Sequence, residues 1–154
     1  MDYLIVKWLH ILSSTFLFGT GVGSAFYLFF VTLHRDVRAI AVVTRYVVIA
    51  DWIFTASTAI LQPVTGFYLL HIMGIPMSTH WVAVSLVLYA IAIACWLPVV
   101  RIQMRLRDLA QLAYRASVPL PAAYWKAFKW WVALGVPALF CFLAIFWLMV
   151  AKPA

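Results

Sequence analysis

The sequence predicts an all-α integral membrane protein that folds as a four-helix bundle. Of the 154 residues, 68% are hydrophobic and only 10% are charged, whereas an ordinary soluble domain has about 25% charged residues. A helix needs about 20 apolar residues to cross the hydrocarbon core, and the chain has four such runs, at about 4–33, 46–71, 80–104 and 126–150. Because little chain is left over, we expect a single transmembrane domain over residues 1–154.

The distribution of positive charge predicts the orientation of this bundle. Arginine and lysine cluster between helices 1 and 2 and between helices 3 and 4, whereas residues 72–79, between helices 2 and 3, contain neither. Because cytoplasmic loops are enriched in these residues, the N- and C-termini are expected to face outward. The net charge of +7 then suits anionic headgroups of the lipid bilayer, and we expect no nucleic acid partner.

Helix 1 is expected to be retained, because its apolar run exceeds the core of about 7–15 residues that a signal peptide has. Within this run the ionisable side chains are Lys7 and His10, which are three residues apart and share one helix face. Ionisable groups in a membrane are costly and usually face a bundle interior, a cofactor or a water-filled cavity. His10 is therefore either a haem ligand or a histidine hydrogen-bonded near the headgroups.

Small residues near the middle of helix 1 form a second feature. Gly19 and Gly23 are four residues apart, a spacing that lets another helix or a flat ligand approach the backbone closely. Both tight helix packing and a cofactor groove are compatible with this surface.

Helix 2 carries a stripe of polar side chains at three- and four-residue steps, namely Asp51, Thr55, Thr58, Gln62 and Thr65. This spacing places them on one helix face, which is expected to point into the bundle. Asp51 either pairs with Arg45 near the interface or belongs to a proton path. Pro63 and Gly66 are expected to weaken or bend the helix.

Two histidines flank the connection between helices 2 and 3, and both are predicted on the same side of the membrane as His10. His71 ends helix 2 and His80 begins helix 3. Each is either a second ligand beside His10 or a hydrated histidine in an interfacial loop. Met73 and Met77, in or beside the same connection, are possible thioether ligands or apolar filler.

The second half of the chain is expected to form helix 3, a cytoplasmic segment and helix 4. A basic amphipathic stretch, at about 102–115, is predicted to lie in the headgroup layer. Pro119 and Pro121 end it, and aromatic and cationic residues form an interfacial belt at the start of helix 4. Cys95 and Cys141 fall within apolar helices, where we expect small buried side chains rather than a disulfide or a metal pair.

The opening of helix 1 resembles that of HemJ-type protoporphyrinogen oxidases and CopD-like membrane proteins, in particular an uncharacterised bacterial branch. The resemblance rests on the run from Tyr3 to Ile11, with Lys7 and His10, then on Phe18-Gly19, Phe26-Tyr27 and His34, and more weakly on residues 63–67. Members begin with a Lys-x-x-His-Ile-like helix whose histidine is taken to bind haem b. The resemblance implies that His10 is a haem ligand and that the protein is a multi-pass protein of a bacterial inner membrane.

Three functional hypotheses follow. The first is a haem b protein with a redox role, either electron transfer or an oxidoreductase activity, acting with a porphyrin or quinone-like substrate and a membrane redox partner. Its candidate cofactor-binding residues are Lys7, His10, His71 and His80, with His10 and His71 as metal ligands and Asp51 in a proton path. The second is a non-catalytic scaffold subunit or homo-oligomer, which the glycine surface would support. The third is copper transport through the loop that carries His71, Met73, Met77 and His80, which the CopD-like resemblance implies.

Overall fold

Four helices account for nearly all of residues 1–153, the part of the chain that the computed structural model describes. They are α1 (Asp2–His34), α2 (Val37–Met73), α3 (His80–Ala116) and α4 (Ala122–Ala151). All four are long and apolar enough to cross a membrane, so the predicted all-α fold with four membrane-spanning helices is confirmed. Residues 35–36 and 117–121 join the helices at one end, here called the basic end, and residues 74–79 join them at the other, the His10 end.

α2 begins at Val37, about nine residues earlier than the sequence predicts. The Asp36 side chain caps the new helix by accepting hydrogen bonds from the backbone N–H groups of Arg38 and Ala39, at 2.9 and 3.2 Å. Arg35 adopts the left-handed conformation, with φ of 59°, which ends α1 and reverses the chain. Because the cap satisfies the free amides of the first turn, the predicted link over 35–45 shrinks to Arg35 and Asp36.

α3 continues past its predicted transmembrane span, and the predicted amphipathic stretch at 102–115 is the direct continuation of the same helix. Pro98 lies within this unbroken helix. One face of this extension carries the buried residues Gln103, Leu106, Ala110 and Ala113. The spacing of three or four residues between them lets that face pack against α2 and α4, which explains why the helix does not end near residue 104.

The core of the bundle lies toward the basic end. Leu28 of α1, Ile40 of α2, Leu106 of α3 and Phe128 of α4 belong to one buried cluster. The hydroxyl groups of Thr32 and Tyr124 are 3.0 Å apart and join α1 to α4. At this end all four helices are therefore tied together.

Packing between α1 and α4 is less continuous than packing between helices that follow one another in the chain. The Phe29 and Phe128 rings approach to 5.8 Å, and the Phe18 and Phe146 rings to 5.1 Å in an edge contact. Between these two aromatic contacts the helices leave space.

A proline in the middle of α2 is accommodated by a side chain from α3. Pro63 has no N–H group, so the carbonyl of Ala59, four residues earlier, loses its partner within the helix. The Tyr89 hydroxyl donates a hydrogen bond to that carbonyl. α2 can thus pass through Pro63 as a helix without leaving a polar backbone group unsatisfied in an apolar environment.

Candidate ligand site between the four helices

A π-helical turn over Asp51–Thr55 interrupts α2 near its middle. Its wider i→i+5 hydrogen bonding is seen between the N–H group of Ala56 and the carbonyl of Asp51. Such turns are often found at functional sites, because the extra residue changes which side chains point inward. Here both Asp51 and Thr55 are turned into the bundle, where each is only 5% exposed.

The π-helical turn lies beside a cavity of about 430 Å³ to which all four helices contribute. Its walls are predominantly apolar and aromatic. They include Leu17, Phe18 and Gly21 of α1, Asp51, Thr55 and Ala59 of α2, Ile93, Trp96 and Gln103 of α3, and Trp131, Gly135 and Phe142 of α4. A cavity of this size between the helices of a bundle is typical of small-molecule sites.

Four buried polar atoms of residues that line this cavity have no hydrogen-bond partner. They are Asp51 Oδ2, Thr55 Oγ1, Trp96 Nε1 and Gln103 Oε1, and within residues 1–153 no other buried side-chain N or O atom is unsatisfied. Leaving one such group unpaired costs about 1–3 kcal/mol. All four belong to residues that line the same cavity, and the side chains of Thr55 and Trp96 lie beside the Asp51 carboxyl group, so the cavity has a small polar cluster in an otherwise apolar wall.

The mouth of the cavity lies between α1 and α4. The lining residues that are exposed belong to these two helices, namely Val22, Phe26 and Phe30 on α1 and Gly135, Val136 and Leu139 on α4. A Cβ atom at Gly21 or Gly135 would meet no other atom within 4 Å, so the two glycines leave the passage wide. Because the mouth is on the lateral, apolar surface of the helices, a ligand would enter from the lipid.

The glycine pair in α1 does not pack against another helix of the described chain, and packing against a second chain is untested. Gly19 and Gly23 also have open space where a Cβ atom would lie, so no helix of the described chain is seated on them. Their neighbour Gly21 contributes to the cavity instead.

The predicted pairing of Asp51 with Arg45 is wrong. Arg45 is exposed whereas Asp51 is buried, and in the described chain the ion pair present joins Arg107 to Asp108. The physical reason is that Asp51 lies on the inward face of α2, beside Thr55 and Trp96, whereas Arg45 points outward. The alternative prediction, a carboxyl group placed for proton exchange, is untested.

His10 lies outside the cavity, toward the His10 end, in a hydrogen-bonded network with α2. Its Nδ1 atom is 2.8 Å from Thr65 Oγ1, and its Nε2 atom is 3.1 Å from Gln62 Nε2. The Thr65 hydroxyl donates to the carbonyl of Leu61 at 2.8 Å, and the Ser13 hydroxyl donates to Gln62 Oε1. These directions place the imidazole proton on Nδ1 and leave Nε2 to accept from the Gln62 amide.

The imidazole of His10 is also fixed by shape. A Cβ atom on Gly66 would lie 3.2 Å from His10 Cε1, so the ring occupies the space that this glycine provides. The polar face predicted for α2 is confirmed, since Asp51, Thr55, Thr58 and Thr65 are buried. One part of that face contacts His10 and another lines the cavity.

The other predicted ligands lie on the surface of the described chain. Lys7 is exposed and lies over the ring of Tyr3, 5.4 Å from its centroid. His71 and His80 are exposed, as are Met73 and Met77. Within residues 1–153 no group of three or more His, Cys, Asp or Glu side chains is arranged to hold a metal ion. Cys95 and Cys141 are free thiols, of which Cys141 is buried, as predicted, and Cys95 only partly buried.

Among the cavity residues with unpaired polar atoms, sequence reasoning missed the two on α3. Trp96 reads as part of an apolar run, and Gln103 as part of the basic amphipathic stretch. A signal was present in Gln103, because it shares a three-to-four-residue spacing with the apolar positions 99, 106 and 110. A lone amide among core positions indicates a polar group that faces inward.

Comparison with known proteins identifies one matching family. A family model described as "Predicted integral membrane protein (DUF2269)" matches residues 4–153. No curated protein and no solved structure matches the chain. The matched region includes the cavity and the His10 network.

Proposed function

The chain belongs to the DUF2269 family of predicted integral membrane proteins, and we propose that it binds a lipophilic small molecule in the cavity between its four helices. The observation that carries this proposal is the convergence of Asp51, Thr55, Trp96 and Gln103, each with an unpaired buried atom, on one apolar cavity. In a bilayer, where water is scarce, unpaired polar groups are especially costly. A bound molecule with polar groups of its own would remove that cost.

The unpaired atoms restrict the chemistry of the ligand. Trp96 Nε1 can only donate a hydrogen bond, Gln103 Oε1 can only accept one, and the Thr55 hydroxyl can do either. The polar part of the ligand therefore has both an acceptor and a donor, and the rest is flat or apolar enough to lie against aromatic walls. The quinol form of a quinone-like molecule meets these requirements, because its hydroxyl groups both donate and accept, whereas the quinone form can accept from Trp96 and Thr55 but cannot donate to Gln103 Oε1. A porphyrin, with pyrrole N–H donors, is a larger candidate.

Asp51 is the residue that could couple ligand binding to a redox reaction, by accepting a proton from the ligand. A carboxylate beside a quinol can accept a proton that the quinol loses on oxidation, while the electrons pass to a redox partner in the membrane. Asp51 is the cavity residue with this capacity, because the other three polar lining residues with unpaired atoms do not ionise in the ordinary pH range.

Binding can be tested with decylubiquinone as the probe, added to the detergent-solubilised protein, with quenching of tryptophan fluorescence as the measurement. Trp96 and Trp131 line the cavity, so a ligand there should quench their emission. Gly21→Leu should fill part of the cavity and abolish saturable quenching, whereas Gly19→Leu, on the exposed surface, should leave it unchanged. Quenching that is equal in both variants would contradict binding in the cavity.

A second candidate function is haem b binding at His10, and the tautomer of this residue favours it. Ligating histidines usually hold one ring nitrogen in a hydrogen bond and bind the metal through the other. His10 has this arrangement on the Nδ1 side, where it contacts Thr65, while its Nε2 lone pair accepts from Gln62. The Gln62 amide would have to move for Nε2 to bind iron, and haem would then supply one-electron chemistry to an electron-transfer or HemJ-like oxidoreductase role.

The absorption spectrum of protein expressed with ample haem precursor tests this candidate. A Soret band that is lost in His10→Ala but kept in His71→Ala and His80→Ala would support haem on His10 alone. A band lost in His71→Ala as well would identify His71 as the second ligand. A colourless protein that co-purifies with a stable membrane partner would instead support the scaffold hypothesis.

A further inference from the structure

A second concave site lies between α3 and α4 near the basic end, apart from the cavity described above. It is a groove of about 260 Å³ lined by Ile102, Arg105, Ala123, Lys126, Ala127 and Trp130. Two of these residues are cations, one on each helix, and three are aliphatic. The groove therefore combines positive charge with an apolar surface.

The two cations lack acidic partners. The ion pair of the described chain joins Arg107 to Asp108, and neither Arg105 nor Lys126 takes part in a salt bridge or in a side-chain hydrogen bond between described residues. Asp36, another acidic residue near the basic end, has its carboxylate engaged as the cap of α2. The positive charge of the groove is therefore not neutralised within residues 1–153.

The position of the groove along the helices corresponds to a membrane interface. α3 has 37 residues and is about 55 Å long at 1.5 Å per residue, whereas the hydrocarbon core is about 30 Å thick. Its first 21 residues, from His80 to Val100, contain no Arg, Lys, Asp or Glu, and Arg101 begins the charged part. Arg105 lies about one turn beyond that boundary.

The tryptophan of the groove agrees with this depth. Trp130 is 59% exposed and lies on the same helix as Lys126, one turn further along. Tryptophan side chains are enriched at the headgroup level, where the ring contacts apolar groups and the indole N–H contacts polar ones.

From these observations we propose that the groove between α3 and α4 binds the phosphate headgroup of an anionic phospholipid. Arg105 and Lys126 contact the phosphate oxygens from opposite sides, and the Trp130 indole lies at the level where headgroup and acyl chains meet. The aliphatic residues Ile102 and Ala127 face the start of the acyl chains. Basic pockets between transmembrane helices bind anionic headgroups through this combination of charge and apolar contact.

The test uses the purified full chain in nanodiscs of phosphatidylcholine that contain a small fraction of phosphatidylglycerol, and native mass spectrometry counts the anionic lipid retained. The double variant Arg105→Gln/Lys126→Gln should retain about tenfold less phosphatidylglycerol than the unmodified protein. The control, Arg115→Gln/Lys129→Gln, removes the same charge from exposed positions of α3 and α4 that do not line the groove, and it should behave as the unmodified protein does.

Two further arms make the proposal falsifiable. An equal loss of lipid in both double variants would mean diffuse attraction to the basic end and would overturn a defined site. Inorganic phosphate, added at increasing concentration, should not displace the lipid; displacement at low millimolar concentration would assign the groove to free phosphate instead. Circular dichroism of both double variants must show the same helix content. Trp130→Phe, which keeps an aromatic ring but removes the indole N–H group, should cause a smaller loss of bound lipid than Arg105→Gln/Lys126→Gln.

Discussion

The Nδ1 atom of His10 lies 2.8 Å from the hydroxyl oxygen of Thr65, and this contact joins the first half of α1 to the second half of α2. Both residues belong to apolar segments in which an unpaired polar group would be unstable. Their hydrogen bond gives the imidazole N–H group of His10 an acceptor. The Thr65 oxygen accepts from the imidazole and donates to its own helix. The pair thus defines the register between the two helices toward the His10 end.

Thr65→Val should lower the stability of the protein by about 1–2 kcal/mol, because the imidazole N–H group of His10 would lose its acceptor while staying half-buried. The measurement is thermal or denaturant unfolding in detergent. Thr58→Val is the matched control, since the Thr58 hydroxyl bonds only to carbonyls of its own helix. If the two variants lost equal stability, the contact between α1 and α2 would not be the cause.

Thr55→Val should have the opposite effect. The Thr55 hydroxyl is buried and has no hydrogen-bond partner within the described chain, so replacing it with an isosteric apolar group should leave stability unchanged or raise it by about 1 kcal/mol. The same variant should bind decylubiquinone more weakly, by about threefold to tenfold, because a ligand contact is lost. A destabilised variant with unchanged binding would exclude Thr55 from the ligand site.

Gly66→Ala should destabilise the protein although alanine favours helices more than glycine does. Its Cβ atom would lie 3.2 Å from His10 Cε1, so the ring must shift away from Thr65 or Gln62. Gly19→Ala, at a position with open space, should be neutral or slightly stabilising. Comparison of the two unfolding midpoints separates the steric effect from helix propensity.

Tyr89→Phe should cost about 1 kcal/mol, because the Ala59 carbonyl would lose the donor that replaces the missing N–H of Pro63. In a Pro63→Ala background the helix supplies its own donor again, so the same tyrosine substitution should then cost much less. A double-mutant cycle measures this coupling. An additive result would show that Tyr89 and Pro63 act independently.

The sequence was sufficient to predict four apolar helices and the polar face of α2, because both depend on patterns local to one segment. Thr65 and Asp51 were placed on that face by spacing alone. Their partners depend on how two helices meet, and this information is not local. The contact of His10 with Gln62, and the nearness of Trp96 to Asp51, therefore required the structure.

The predicted pairing of Asp51 with Arg45 was wrong because it depended on where the Arg45 side chain lies, and Arg45 is exposed whereas Asp51 faces the bundle. The π-helical turn over Asp51–Thr55 was not predicted either. No Pro or Gly lies within this turn to mark it. The capping of α2 by Asp36 was missed for a different reason. The basic residues between 35 and 45 led us to interpret this whole stretch as a link between two helices.

The mouth of the cavity lies between α1 and α4, which are the first and last helices of the described chain. The three connections of the bundle join α1 to α2, α2 to α3 and α3 to α4, so none of them crosses the mouth. Separation of α1 from α4 would stretch no loop and would break only side-chain contacts such as that between Phe18 and Phe146. A ligand would therefore pass between two neighbouring helices of the described chain that no loop connects.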